Sequence, residues 1–575
     1  MKLQKVIPIL NWLPNYKKDQ LQGDIVAGIT VATVLIPQGI AYALIAGLPP
    51  IYGLYSALIP QIIYAIFGSS RHVAIGPVAT DSLIVASSIS TIALMGSESY
   101  IAIAIFLAFL VGAIQFLMGI FRLGFIVNFL SKPVITGFTS ALAIIIGLNQ
   151  FKNFFGVDFL QSDQIHILLD DMFSRVTEID VKTTIIGLVT STIIIVLRRI
   201  NKKIPNALIV VVLGISAMFL FRDFFSEVDI VKDIPSGLPG FAIPEFNFGL
   251  IRELLPMAFT LVMVGYLETI SIGKYLESQQ DEYKVDSNQE LIGLGLSNIF
   301  GSFFNAYPSA SSFSRSAINF DAGARTGVAA FISAGLVILT LLFLTPVFYY
   351  LPKTVLAAII IVAVFRLVNV KEAKFLWKAN NLDFWLLVVT FCATLLFGVE
   401  LGILIGVGVS LVVLIFRTSR PHVVELGKVP DADFYRNKNR FKEVIIEEDV
   451  LVFRFDAQLF YANANYFRDQ LESMVNEKGD KLKLIVLDGE SINRVDSTGV
   501  EMLKQQILFY KRKGILFYFA GIKGPVRDAL FKAGVLDIVS IEHFFMRANW
   551  AVLYYKTGDN QNQKKYAQYI HQAYK

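Results

Sequence analysis

The chain has 575 residues, of which 55% are hydrophobic and only 17% charged, with a mean hydropathy of +0.59 and a formal net charge of +5. A soluble fold of this size does not bury so much apolar surface, so a soluble enzyme is excluded and an integral membrane protein is implied. A single cysteine, Cys392, rules out a disulfide framework and reads as a small core hydrophobe, while the modest positive balance fits loop bias in a membrane protein and not nucleic-acid binding.

In chain order, residues 1–23 lack a short apolar core followed by a small-residue cleavage site, and read as a retained cytoplasmic segment. From Ile25 to Ser70 there is no charged residue, so this stretch must include membrane-spanning structure. Pro37, Gly39, Gly47, Pro49, Pro50 and Gly53 interrupt it, and Gly76-Pro77 follows Arg71-His72. Irregular backbone at membrane depth is tolerated only where protein buries it or a cavity receives it. Tyr100–Phe121, Val134–Phe151, Thr183–Leu197 and Ala207–Phe221 are further apolar spans. The polar interval from Lys152 to Lys182 is mostly acidic, whereas the short loop Arg198–Lys203 carries only basic charges. Positive loops face the cytoplasm, which places the acidic interval outside.

A Gly/Pro-rich connection, IPSGLPGFAIPEF, then divides the apolar part into halves. The second half has Leu254–Tyr275 with the acid Glu268, an apolar helix Leu291–Phe304, a second broken stretch YPSASSFSRSAINFDAGART, and an uncharged run Thr326–Pro352 followed by three shorter spans reaching Phe416. Interrupted segments at matching places in two halves signal an inverted repeat with a binding site at the midplane, and the count of spans is about twelve to fourteen. From about Arg417 charges become frequent and β-like runs alternate with amphipathic ones, which reads as a compact α/β domain.

The helix after each break presents free backbone N–H groups and a positive dipole end, so two such termini make an anion site without a metal. The first begins near Pro77, with Val78, Ala79 and Thr80 as donors. The second begins near Ser311, with the hydroxyls of Ser311, Ser312 and Ser314. Arg315 is a permanent cation in a mostly uncharged stretch and either attracts the anion or neutralises Glu268. Glu268 is a titrating proton carrier or a structural partner. Asp81 faces the site or caps a turn, and Arg71 and His72 read as interfacial anchors. Asp496 and Ser497 precede an amphipathic helix and fit N-capping. P-loop, zinc-spaced and nucleophile-elbow motifs are absent from the sequence.

PQGIAYALIAGLPPIYGLYSA followed by FGSSRHVAIGPVATDSL resembles the signature of the SulP family of anion transporters, which includes the animal proteins prestin and pendrin. ETISIGK at Glu268–Lys274 and SSFSRSAIN at Ser311–Asn319 continue the resemblance, and the C-terminal region is similar to a STAS domain. The resemblance implies a polytopic α-helical membrane protein of two inverted seven-helix repeats, split into core and gate domains. It also implies a C-terminal α/β STAS domain, a homodimer and an elevator-like movement. It implies a substrate site of Gln38, Tyr42, Val78, Ala79, Ser312, Ser314 and Arg315, with Glu268 at the family's acidic position. One helical turn after that acid stands Ile272, where sodium-coupled bicarbonate members carry a hydroxyl, so sodium coupling is disfavoured. The DSTG sequence resembles a phosphorylatable loop, with Ser497 at its serine.

The expectation is a secondary active transporter of sulfate or a related inorganic anion, by proton symport or anion exchange, with protons and the lipid bilayer as partners and no cofactor. Bicarbonate or dicarboxylate transport and a channel-like member are the alternatives. The expected division is 1–23 as an N-terminal segment, 24–417 as the transport domain and 418–575 as a cytoplasmic STAS domain and tail, in a bacterial-type inner (plasma) membrane.

Overall fold

The structure, a computed structural model, describes residues 4, 6–90, 92–125, 131–160, 162–200, 206–245, 248–365, 368–558 and 561–573. Residues 201–203 of the basic loop and residue 246 of the Gly/Pro-rich connection lie outside the described residues. The chain forms two compact units, Met1–Ser410 and Leu411–Lys575.

Apolar runs become helices in the first unit because a chain in hydrocarbon must satisfy its own backbone. In order they are α1 (Lys18–Ile45), α2 (Pro50–Phe67), the two-residue strand β1 (Ile75–Gly76), α3 (Ala79–Ile89), α4 (Glu98–Ile120), α5 (Lys132–Asn149), α6 (Val181–Ile200) and α7 (Asn206–Leu220). The later half holds α8 (Phe248–Glu277), α9 (Ser287–Ser302), β2 (Ala310–Ser311), α10 (Phe313–Asp321), α11 (Val328–Leu339), α12 (Lys353–Val364), α13 (Val370–Ala379), α14 (Asn381–Phe397) and α15 (Val399–Ser419). Among the described residues eight helices are long and apolar enough to cross a membrane, α11 among them because further helical turns continue it to Tyr350, and four shorter apolar helices accompany them. The acidic interval, for which the sequence shows no periodic pattern of its own, holds the short helix Ile165–Ser174, and a second one, Phe151–Phe155, leads into it.

Two groups of helices pack against each other. In one, α9 lies against α4 and α2, α11 against α1 and α2, α8 against α3 and α4, and α10 against α1; in the other, α14 packs on α5 and α12 on α6 and α7. Contacts of α1 with α7 and α12, and of α3 with α5, join the groups.

The expected interruptions at Pro37, Gly39 and Gly53 do not break any helix. Pro37 lies within α1, where it removes one N–H from the ladder. Gly39 and Gly53 sit where α1 and α2 cross: a Cβ on Gly39 would stand 3.1 Å from the carbonyl oxygen of Gly53, and one on Gly53 would overlap that of Gly39. These glycines permit close approach of two helices. The actual departures from helix are the turn at Gly47 and Leu48 and the extended run between α2 and α3. Cys392 likewise differs from expectation: its side chain is exposed on α14, a short apolar helix whose outer face suits lipid, and does not lie in the core.

The second unit is a six-stranded sheet in the order β4-β3-β5-β6-β7-β8, built from β3 (Val423–Lys428), β4 (Tyr435–Asn437), β5 (Val450–Phe455), β6 (Leu484–Asp488), β7 (Leu516–Ala520) and β8 (Phe544–Phe545). Its helices are α16 (Ala464–Lys478), α17 (Ser497–Arg512), α18 (Gly524–Lys532), α19 (Ala548–Thr557) and α20 (Gln561–Ala573). β5 to β8 pair in parallel, which requires crossover connections, and α16, α17 and α18 supply them. Leu451, Phe453, Ile485, Leu487, Phe517 and Phe519 point to one face under the helices, while Val450, Val452, Leu484, Val486 and Tyr518 line the other.

Glu425, nearly buried on β3, is held by Lys438 Nζ at 2.5 Å and Lys478 Nζ at 2.8 Å. Removing one partner of a buried ion pair leaves the others uncompensated. Glu425→Leu should therefore cost roughly 3 kcal/mol of local stability. Hydrogen exchange of β3 and β5 in the full-length protein reads this directly, and unchanged protection would contradict it.

Candidate functional site

The two extended runs that interrupt the apolar sequence pair with each other. Ile75 aligns with Ser311 and Gly76 with Ala310 in antiparallel register, and the Ser312 N–H donates to the Ala74 carbonyl at 3.1 Å. Each break thus satisfies the backbone groups that the other exposes. Side chains clasp the ribbon. Ser56 Oγ accepts the Tyr307 N–H at 2.9 Å and donates to its carbonyl at 3.3 Å. Asn298 accepts the Ser309 N–H at 2.8 Å and donates to the Ser309 carbonyl at 3.1 Å. Thr269 Oγ1, beside Glu268 on α8, bonds Ser311 Oγ at 2.8 Å.

Because the pairing is antiparallel, α3 and α10 leave from opposite ends of the ribbon and both begin at its level. Val78 is the N-cap of α3, and the first ladder bond is Ser82 N–H to Val78 at 3.0 Å, so the amides of Ala79, Thr80 and Asp81 have no acceptor within the helix. Ser312 is the N-cap of α10, its Oγ 3.5 Å from the Arg315 N–H and 3.3 Å from Ser314 Oγ. The helices begin at Ala79 and Phe313, two residues later than the sequence suggested.

Arg315 is 0% exposed. Its Nη1 donates to Gln38 Oε1 at 3.2 Å, while its Nε and Nη2 have no hydrogen-bond partner. A buried guanidinium with two unsatisfied faces is costly unless something fills them. Tyr42, Tyr307 and Glu268 are close enough to act on it electrostatically. Gly76 gives it room: φ there is +155°, and a Cβ would stand 3.5 Å from Arg315 Nη2 and 3.1 Å from Leu35. Glu268 is half-buried, with the Thr80 hydroxyl between it and Asp81; that hydroxyl is 3.5 Å from Asp81 Oδ1. Asp81, on the first turn of α3, is buried and makes no capping bond.

The structure therefore gathers Gln38, Tyr42, Val78, Ala79, Ser312, Arg315 and Glu268 around one ribbon, with Ser314 on the exposed side of α10. Arg315 takes Gln38, and not Glu268, as its hydrogen-bond partner. His72 is buried and is not a surface anchor, whereas Arg71 is partly buried and reaches an exposed acid. His72 is 3% exposed, its Nδ1 2.7 Å from the Tyr283 hydroxyl and its Nε2 2.9 Å from the Ala324 carbonyl, and Arg71 pairs with Glu282 at 3.7 Å. Ser497 is exposed in the second unit, where Asp496 provides the cap by accepting the Gly499 N–H at 2.8 Å. Sequence reading missed Ser56, Tyr307 and Thr269, since a lone hydroxyl in an apolar helix carries no signal of which distant segment it meets.

The model of the sulfate permease family matches residues 21–390, and that of the STAS domain matches residues 442–549. Sulfate transporter 4.1, chloroplastic, of Arabidopsis thaliana is 37% identical over 96% of this chain and 82% of its own length. The structure of murine Solute Carrier 26 family member A9 (Slc26a9) anion transporter in the inward-facing state matches with a TM-score of 0.89 at 27% identity, over 96% of this chain and 94% of that one. The transmembrane domain of a cyanobacterium bicarbonate transporter BicA shares the fold, with a TM-score of 0.59 at 22% identity over 69% of this chain and 98% of that one.

If Ser56 is the clasp that holds the ribbon, Ser56→Ala leaves the buried Tyr307 N–H unpaired, while the Tyr307 carbonyl keeps the Ser309 hydroxyl at 3.2 Å. The expected cost is about 1–3 kcal/mol, seen as a lower unfolding temperature of the full-length protein in detergent. A Ser56→Thr variant, which keeps the hydroxyl, should recover part of it.

Proposed function

The chain belongs to the sulfate permease family of anion transporters, and on that premise we propose that it is a multi-pass secondary active transporter carrying sulfate or a closely related inorganic anion. One observation carries the reading: Arg315, fully buried, holds two unpartnered N–H faces beside two helix N-termini that meet at a ribbon. Oxyanions accept several hydrogen bonds at once, and a desolvated cation with free amides supplies them without a metal. Gln38 orients the guanidinium. Val78, Ala79 and Ser312 supply the helix termini, and Tyr42 closes the side of α1.

The transport domain spans 24–417 and the STAS domain with its tail 418–575. Two inverted seven-helix repeats, sorted into a core group carrying the ribbon and a gate group, would move against each other as an elevator within a homodimer. The setting is a bacterial-type plasma membrane with the STAS domain in the cytoplasm. The two helix groups and the paired breaks support this reading. In it Ser497, exposed ahead of α17, is the residue open to phosphorylation.

Arg315→Ala should weaken sulfate binding by at least tenfold, because charge is poorly screened in a desolvated site. Arg315→Lys should recover it only in part, since a point charge lacks the fork. Calorimetry on purified protein with sulfate, bicarbonate, chloride and fumarate reads both affinity and choice of anion. Unchanged sulfate affinity in Arg315→Ala would overturn the site, and preference for bicarbonate or fumarate would change the cargo.

Glu268 is the coupling residue in this reading. It lies near Arg315 and shares the Thr80 hydroxyl with Asp81, so an arriving anion and an arriving proton each favour the other, a linkage that is reciprocal. Sulfate uptake into proteoliposomes should quicken as the external pH falls, in sodium-free buffer. Glu268→Gln should still exchange sulfate but no longer concentrate it. Proton-driven accumulation by that variant would move coupling elsewhere.

A further inference from the structure

We propose that the groove between α13 and α14 binds the headgroup of an anionic phospholipid from the surrounding bilayer. At ten residues α13 is too short to span a membrane. Its outer face is strongly mixed in character: Val370, Phe375 and Trp377 are exposed, as are Lys371, Lys374 and Lys378, and only Leu376 is buried against the protein. A short helix with aromatic and basic residues on its free face lies at the boundary between headgroups and acyl chains.

Spacing arranges the charges. Lys371, Lys374 and Lys378 fall on one stripe of the helix, with Trp377 and Val370 on one side of it and Phe375 on the other. Among the described residues none of these three lysines takes part in an ion pair. Of the neighbouring acids, Glu372 pairs with Lys132 at 2.7 Å, and Asp383 accepts the Asn380 amide at 3.1 Å and forms no ion pair with these lysines. Lys374 and Lys378, one turn apart and without an ion pair, line a groove of about 440 Å³. Val370, Ala373, Phe375, Trp377 and Phe384 supply the apolar part of its lining. Trp377 and Phe384 meet edge to face with centroids 4.8 Å apart and so offer one continuous aromatic surface.

A soluble anion needs the two ammoniums but gains nothing from an aromatic surface. A phospholipid uses both, its phosphodiester between Lys374 and Lys378 and the upper part of its acyl chains over the rings. The site is separate from the ribbon and does not depend on which anion is carried.

The test compares retained lipid. Full-length protein is purified from vesicles of equal parts phosphatidylglycerol and phosphatidylcholine, and bound lipid is counted by native mass spectrometry. Wild type should retain phosphatidylglycerol in preference. Lys374→Gln with Lys378→Gln should lower that preference on the order of tenfold, while the Lys374→Arg, Lys378→Arg pair keeps it and Trp377→Ala lowers retention of both lipids. Sulfate uptake in pure phosphatidylcholine vesicles should be unchanged in the glutamine variant. Water-soluble glycerol phosphate should not displace the lipid. Unchanged phosphatidylglycerol preference in the glutamine variant, or displacement by glycerol phosphate alone, would overturn the proposal.

Discussion

The first unit depends on a hydrogen-bonded contact of a few residues, the antiparallel pairing of Ile75–Gly76 with Ala310–Ser311. Two stretches far apart in sequence have each left the helical ladder inside an apolar protein, where unpaired backbone groups cost several kcal/mol each. Neither can stay open alone, so each serves as the other's partner. The pairing sets where α3 and α10 begin, and it brings Arg315 against Gly76. It also leaves the guanidinium with room but without a full set of acceptors.

Four acids of this unit, the buried Asp24, Glu290 and Asp81 and the half-buried Glu268, have two different fates, and donor count tells them apart. Asp24 accepts from the Tyr16 hydroxyl at 3.0 Å, the Arg325 N–H at 2.7 Å, the Thr326 N–H at 3.0 Å and the Thr326 hydroxyl at 2.6 Å. Glu290 accepts from the Tyr64 hydroxyl at 2.6 Å, the Ser69 N–H and hydroxyl at 2.8 and 2.7 Å, and the Ser70 N–H at 3.1 Å. Carboxylates so fully bonded act as structural ties, one fastening the turn before α11 to α1, the other the loop after α2 to α9. Asp81 and Glu268 share little more than the Thr80 hydroxyl, which leaves their protonation open to change with what binds nearby.

Much of this was legible in the chain. Long charge-free runs can only be membrane helices, so α4, α5, α6 and α7 lie where their apolar residues do, to within a few positions. The alternation after Arg417 marks β5, α16, β6, α17, β7 and α18 for a related reason, since each strand is a mostly apolar run, broken only by Arg454 in β5 and Asp488 at the end of β6, and each helix has an apolar stripe. The strands β3, β4 and β8 and the helices α19 and α20 were not foreseen. β4 and β8 are too short for periodicity to show, and β3 carries Glu425 where a core strand is expected to be apolar.

Residue type alone determined that this is a membrane protein with two interrupted segments, a permanent cation at Arg315 in a mostly uncharged stretch and a lone acid at Glu268 within an apolar span. Tertiary structure decided which interruptions are real. Pro37, Gly39 and Gly53 remain within helices because tolerance of a missing N–H, or of a missing side chain, depends on the helix packed alongside. It also decided that Arg315 is held by Gln38, that His72 is locked between Tyr283 and Ala324, and that Cys392 is exposed. Hydrophobicity and spacing are properties of a segment and can be read along it, whereas a hydrogen-bond partner two hundred residues away is fixed only when the chain has folded.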